Sequence, residues 1–182
     1  MIFVIHGTEA FPFDRMATEI DALKGDGTLT DDVFMQLGSC TYEPKHCKFE
    51  RYLSFGEMRE NIAAADLVIS HAGAGSTLLC LEIGKRPIIV TRQHKHNEHV
   101  DDHQIPFAKM MEKRNYVVVA YDPSELRDCI AKVLSPDHAL GAFQKDNRLL
   151  VNYLSDLADA YGDKTPAPLE RKSSVSGNPS GS

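Results

Sequence analysis

The sequence predicts an α/β fold in which a parallel sheet is covered by helices on both faces. Two observations carry that expectation. Short apolar runs alternate along the chain with segments whose apolar residues recur at helical spacing, and the runs are apolar throughout rather than at every second position. Strands buried on both faces read in this way, and they belong to parallel sheets packed between helices. A third observation sets the scale: 182 residues with 42% hydrophobic and 25% charged content suffice for one domain with a real core.

The elements follow in order. Ile2 to Ile5 reads as a buried strand, with Gly7-Thr8 opening the next loop. Phe13, Met16, Ala17, Ile20 and Leu23 share one helical face, and Gly25-Asp26-Gly27 ends that helix. Val33 to Leu37 is the next strand, and Phe49 to Leu53 a further one. A short helix from Glu57 to Ala65 precedes the strand Leu67-Val68-Ile69, and a helix from Gly75 to Ile83 stops at Gly84-Lys85-Arg86-Pro87. Ile88 to Val90 is a strand, Asp102 to Arg114 a helix, Tyr116 to Ala120 the last strand, and Pro123 opens a helix to Leu134. A final helix spans Gln144 to Tyr161, so the domain is expected over residues 1–161. From Gly162 to Ser182 the composition turns to Pro, Ser, Gly and Lys, which cannot offset the entropy of ordering, and that tail is expected to be disordered.

Composition also excludes some functions. A net charge of −6 gives no general attraction to nucleic acid. Cys40, Cys47, Cys80 and Cys129 form no CxxC pair, so reduced thiols in a cytoplasmic protein are expected. Met1 to Gly7 lacks the basic n-region of a signal peptide, and no stretch approaches the ~20 apolar residues of a membrane span. Work at a membrane would then need another protein as the anchor.

The segment Leu67-Val68-Ile69-Ser70-His71-Ala72-Gly73-Ala74-Gly75-Ser76-Thr77 carries the chemistry. A buried strand runs into a small-residue turn, and a helix starts at once. The first helical turn offers unpaired N–H groups and a positive dipole end, Ser76 and Thr77 add hydroxyls, and His71 adds an imidazole. Ligands gather at this edge of an open α/β sheet, so the turn predicts a diphosphate site. Its candidate contacts are His71, Gly73, Ala74, Gly75, Ser76 and Thr77, with Gly7 and Thr8 beside them. No GxGxxG follows the first strand and no GK[ST] follows the turn, which disfavours a dinucleotide or P-loop site. The later run from Arg92 to Gln104 ends at the same edge. Its Glu98, Asp102, His103 and Gln104 suit sugar hydroxyls. Its histidines, at His94-x-His96 and His99-x3-His103 with Asp101 or Asp102, have feasible metal spacing, but the stretch reads better as a solvated polar loop, and no metal is expected.

Five ordered stretches carry a resemblance: Phe3 to Thr8 with Phe11 to Arg15, Val33 to Ser39, Ala65 to Ser76, Leu81 to Val90, and Glu98 to Gln104. With these the chain resembles the C-terminal donor domain of glycosyltransferase family 28. In particular it is similar to the small subunits of two-component bacterial exopolysaccharide transferases, the PssE type, and to the catalytic subunit of the dolichol-linked N-acetylglucosamine transferase. The resemblance implies one Rossmann-like half of a GT-B glycosyltransferase. A UDP-sugar would be the donor, with no cofactor and no required divalent metal. A membrane-attached subunit would hold a lipid-linked sugar acceptor at the cytoplasmic face. It puts His71, Gly73, Gly75, Ser76 and Thr77 at UDP, and Asp102, His103 and Gln104 at the sugar. Leu79 stands where plant-type relatives carry a ribose-binding Glu, so Glu82 is the nearby substitute candidate, and His103 replaces an Asp.

His71 is then the expected leaving-group stabiliser, and His6 or Glu9 the candidate acceptor base. Asp14 and Arg15 are expected to anchor a loop or a subunit interface, and Arg92 and Lys95 to pair with an anionic sugar or to be solvated. Glucuronate, galactose and N-acetylglucosamine remain open as donor sugars. The rival readings are a non-catalytic enhancing subunit, a metal-dependent hydrolase built on His94 to His103, and a sugar epimerase.

Overall fold

Four-residue strand β1 (Ile2–Ile5) is buried at every position, and its alternate side chains serve two cores. Ile2 and Val4 pack with Met16, Ala17, Ile20 and Leu23 on one side, whereas Phe3 and Ile5 pack with Ile62, Ala65 and Cys80 on the other. That two-sided burial is why the strand is apolar throughout. The computed structural model describes residues 1–135. The helix expected over Gln144 to Tyr161 and the tail from Gly162 lie outside the described residues.

Helix α1 (Asp14–Gly25) follows β1, then β2 (Val33–Gln36), β3 (Lys48–Glu50), α2 (Phe55–Ala64), β4 (Leu67–His71), α3 (Ala74–Ile83), β5 (Ile88–Val90), α4 (Gln104–Lys113), β6 (Val118–Ala120) and α5 (Leu126–Leu134). Single 3-10 turns at His94–His96 and Pro123–Glu125 precede α4 and α5. All strand pairs are parallel, in the order β3-β2-β1-β4-β5-β6. β1 pairs with β2 on one edge and β4 on the other, Ile2 standing opposite both Val33 and Leu67. The chain therefore switches direction across the sheet at β1 and β4, and a crevice opens beyond their carboxyl ends.

Local chemistry explains where the boundaries differ from expectation. α2 starts at Phe55, two residues early, because Ser54 and Glu57 form a capping box: Ser54 Oγ accepts the Glu57 N–H at 3.3 Å, and Glu57 Oε2 accepts the Ser54 N–H at 2.8 Å. β3 is an edge strand with only Phe49 turned inward, so it lacks the apolar run that marks the central strands. α4 begins at Gln104 rather than Asp102, since Asp101 and Asp102 accept the backbone N–H groups of His103 and His94. The cysteines are free thiols, three of them buried. Burial pushes Cys80 up to about 12.

The loops after β1 and β2 interlock at the crevice. Gln36 grips the Gly7 peptide from both sides, its Oε1 accepting the Gly7 N–H and its Nε2 donating to the Gly7 carbonyl, each at 3.0 Å. Gly38 lies against the same carbonyl with φ +58°, where a Cβ would come within 2.0 Å of the Gly7 oxygen. Gly38→Ala should therefore lower stability by about 2–3 kcal/mol, since both the left-handed backbone and the backbone contact oppose it. Urea unfolding measures this, and an unshifted midpoint would show that the loops are not locked here.

Candidate functional site

The site is built at the junction of β4 and α3. Ala72 still pairs with the sheet through its N–H to Val90 (2.9 Å), while Gly73 is the N-cap of α3 and no side chain caps the helix. Intrahelical bonding begins with the Thr77 N–H on the Gly73 carbonyl (3.1 Å). The N–H groups of Ala74, Gly75 and Ser76 thus lack carbonyl partners within the helix. Those residues line a cavity of about 340 Å³ together with Gly7, Thr8 and Glu9, Gln36, Leu53 and Met58, and His99, His103 and Gln104. A helix N-terminus at the switch point of a parallel sheet is suited to an anion.

His71 and its neighbouring glycines fit one another closely. A Cβ on Gly73 would lie 2.2 Å from His71 Nε2, and one on Gly7 would lie 2.7 Å from Cε1. These two glycines make room for the imidazole, whereas Gly75 faces open space and leaves the approach for a ligand. His71 Nδ1 lies 3.4 Å from the Ile5 carbonyl, an acceptor, so Nδ1 carries the proton and Nε2 a lone pair. Burial, reinforced by the charge of Arg92, holds His71 down at about 4. As folded it is neutral, and it can donate from Nε2 to a phosphate oxygen only after taking up a proton.

Of the expected contacts, Gly7, Thr8, His71, Gly73, Ala74, Gly75, Ser76, His103 and Gln104 all line the cavity. Gln104 Oε1 accepts the Arg92 N–H at 3.1 Å, which leaves the amide nitrogen as the group able to donate to a ligand. Five other candidates do not reach the cavity. Thr77 is fully buried and its hydroxyl donates to the Gly73 carbonyl at 2.9 Å, a helix-internal bond. Glu82 is exposed and paired with Arg59 at 3.1 Å, joining α3 to α2. Glu98 is buried, its two oxygens accepting from Arg15 at 2.7 and 3.0 Å and its Oε2 also from the Gln93 N–H. Asp102 holds the His94 N–H at 2.8 Å. His6 is wholly buried, with Nδ1 at 3.1 Å from the Gln36 carbonyl and its ring edge-on to Phe13. Its burial pushes it down to about 3, so it cannot serve an acceptor in the cavity.

Arg92 is the residue whose role changes most. It is 1% exposed, not solvated, and its guanidinium donates to the carbonyls of Phe11 (2.6 Å), Glu98 (2.9 Å) and His6 (2.7 Å) while lying over the Phe13 ring. Arg15 and Asp14 anchor loops as expected. Arg15 bridges Glu98 and Asp122, and Asp14 accepts from the Thr41 and Tyr42 N–H groups. Gln36, which clamps Gly7, was missed as a site residue. A polar side chain ending an otherwise apolar strand was its one visible signal.

The fold and this site define one half of a GT-B architecture. The chain matches the glycosyltransferase family 28 C-terminal domain over residues 1–160 and belongs to that family. It is 34% identical over 124 residues to the UDP-N-acetylglucosamine transferase subunit ALG13 of Homo sapiens, covering 64% of this chain and 10% of that protein. The Debaryomyces hansenii protein of the same name is 35% identical over 74 residues, 41% of this chain and 35% of the relative. Among solved structures, the calicheamicin glycosyltransferase CalG4 aligns with a TM-score of 0.58 at 14% identity, over 91% of this chain and 43% of that one. MurG of Acinetobacter baumannii aligns with a TM-score of 0.56 at 18% identity, over 87% and 49%. The chain thus spans only a part of each of these proteins.

Arg92→Met should cost about 3–5 kcal/mol in urea unfolding, because three carbonyls lose their donor at once, and a near-native midpoint would refute its structural role. His6 and His71 titrate near 3 and 4 when folded, against an ordinary value of ~6.5. The unfolded chain binds those protons first. The stability they contribute is complete above pH ~6.5 and falls as pH drops toward 4 and then 3, by at most about 1.4 kcal/mol per unit for each ring. Urea midpoints should fall from pH 7 to pH 5, and His6→Asn should flatten that fall.

Proposed function

We propose that this chain is the donor-binding half of a UDP-sugar-dependent glycosyltransferase, and that a separate subunit completes the enzyme by holding the acceptor. The observation that carries this reading is the uncapped N-terminus of α3 on the cavity at the sheet's switch point. In it, the diphosphate of UDP accepts hydrogen bonds from the N–H groups of Ala74, Gly75 and Ser76 and from the Ser76 hydroxyl. As the bond from the sugar's anomeric carbon to the diphosphate oxygen breaks, the growing charge on the β-phosphate meets the helix dipole and these fixed donors. No metal enters this step. The negative charge of the bound diphosphate favours uptake of a proton from water by His71, whose imidazolium then adds a further donor. Leu53 and Met58 give the cavity an apolar wall suited to the face of a base, and His103 and Gln104 offer polar groups to the sugar.

Relatives named as subunits of a UDP-N-acetylglucosamine transferase favour that donor over glucuronate or galactose, and favour a heteromeric enzyme. The acceptor is then a lipid-linked sugar of exopolysaccharide or glycan synthesis, and a membrane-attached partner brings the chain to the cytoplasmic face. Among the described residues no helix is long and apolar enough to cross a membrane. With His6 buried, Glu9 on the cavity is this chain's remaining candidate for the acceptor base.

Calorimetric titration with UDP tests the diphosphate site. Gly75→Val, which fills the open approach, should abolish binding, and Ser76→Ala should weaken it by about fivefold, the worth of one hydrogen bond. Thr77→Val should bind as the native chain does. Native-like affinity in Gly75→Val, or no binding even with the partner subunit co-expressed, would overturn the assignment.

A further inference from the structure

The loop before α4 holds a cluster that the diphosphate chemistry leaves unused. One ligand atom each from His99, Asp101 and His103 lies within 4.8 Å of the other two. Asp101 Oδ1 stands 3.6 Å from His99 Nδ1 and hydrogen-bonds His103 Nδ1, so two imidazole nitrogens converge on one carboxylate oxygen. The His99 ring is held in place, stacked on Phe11 at 5.8 Å and edge-on to His103 at 4.5 Å between centroids. Its Nδ1 is buried with no hydrogen-bond partner, an arrangement that costs stability unless some ligand satisfies it. The loop itself is tied down, since Asp101 accepts the His103 N–H at 3.0 Å and Asp102 the His94 N–H. Both histidines line the cavity.

We propose that His99, Asp101 and His103 form a binding site for a divalent transition-metal ion of the zinc type on the cavity wall. Two imidazoles and one carboxylate are the protein ligands of many zinc sites whose fourth coordination position is completed by water. The spacing agrees. Tetrahedral bonds of about 2.1 Å separate neighbouring ligand atoms by about 3.4 Å, close to the His99–Asp101 distance of 3.6 Å. His103 must swing away from Asp101 to match that spacing, and both side chains are more than half exposed. The ion then replaces their hydrogen bond and gives the orphaned His99 nitrogen a partner. None of its ligands belongs to the β4–α3 turn of the diphosphate assignment, and His103 is the one residue it shares with the proposed sugar contacts.

The test uses the full chain purified without a histidine tag, stripped with a chelator and titrated calorimetrically with Zn²⁺, with Co²⁺ absorption as a reporter of coordination. One ion per chain is expected, with the visible bands of a four-coordinate cobalt site. His99→Ala and His103→Ala should each weaken binding by at least about tenfold, while His94→Ala and His96→Ala, in the same loop outside the cluster, should not. Binding that survives His99→Ala and His103→Ala together, or that is lost with His94 or His96, would overturn the proposal. So would retention of a folded His103→Ala variant that binds Zn²⁺ as the native chain does. UDP titration of the same stripped samples separates the two ideas, since zinc without UDP binding refutes only the diphosphate site and UDP without zinc refutes only this one.

Discussion

A guanidinium with almost no access to water organises the edge of the sheet where the cavity opens. Arg92 leaves the end of β5 and donates to carbonyls of His6, Phe11 and Glu98, while its own N–H is accepted by Gln104 at the start of α4. A buried cation is costly unless its donors are satisfied, and here backbone carbonyls and the face of Phe13 do that. Because these carbonyls belong to two different loops, one side chain sets the spacing between the end of β1 and the end of β5. A lysine could not reproduce this, having a single ammonium in place of a planar fork.

The same charge shapes the electrostatics of the cavity. Arg92 adds to burial in keeping His6 and His71 unprotonated, so the imidazoles near the α3 N-terminus are neutral while the guanidinium and the helix dipole remain positive. The cavity therefore combines a fixed positive potential with a ring able to accept a proton. Around this centre lie two further locks. Gln36 holds the Gly7 peptide, and Arg15 joins α1 to Glu98 and Asp122. The residues that touch the cavity are held by residues that do not, which is how loops present a defined surface.

Much of the fold was legible because periodicity reports burial directly. β1, β4 and β5 are buried on both faces and read as continuous apolar runs, and α1 shows its packed face at Met16, Ile20 and Leu23. The edge strand β3, with one inward residue, was misplaced for want of such a run. The turn from His71 to Ser76 was legible for another reason: a strand, small residues and a helix start adjacent in sequence are also adjacent in space. The polar segment from Arg92 to Gln104 carried no such guarantee. Glu98 and Asp102 resemble sugar ligands in composition, yet their carboxylates bind Arg15 and the backbone. Glu82 sits on the α3 face toward α2, a direction its spacing from Ser76 did not reveal.

By itself, then, the sequence determined the parallel α/β architecture, the family and the small-residue turn into α3, since each depends on local pattern or on residues contiguous in the chain. Only the tertiary structure decided which polar groups face the cavity and which brace it. It turned Gly7 and Gly73 into space for an imidazole, drew Arg92 inside and gathered His99, Asp101 and His103 around one point. The reason is physical: a side chain's partners across 30 to 86 residues of separation are set by how the loops close over the sheet edge, and no local pattern encodes them.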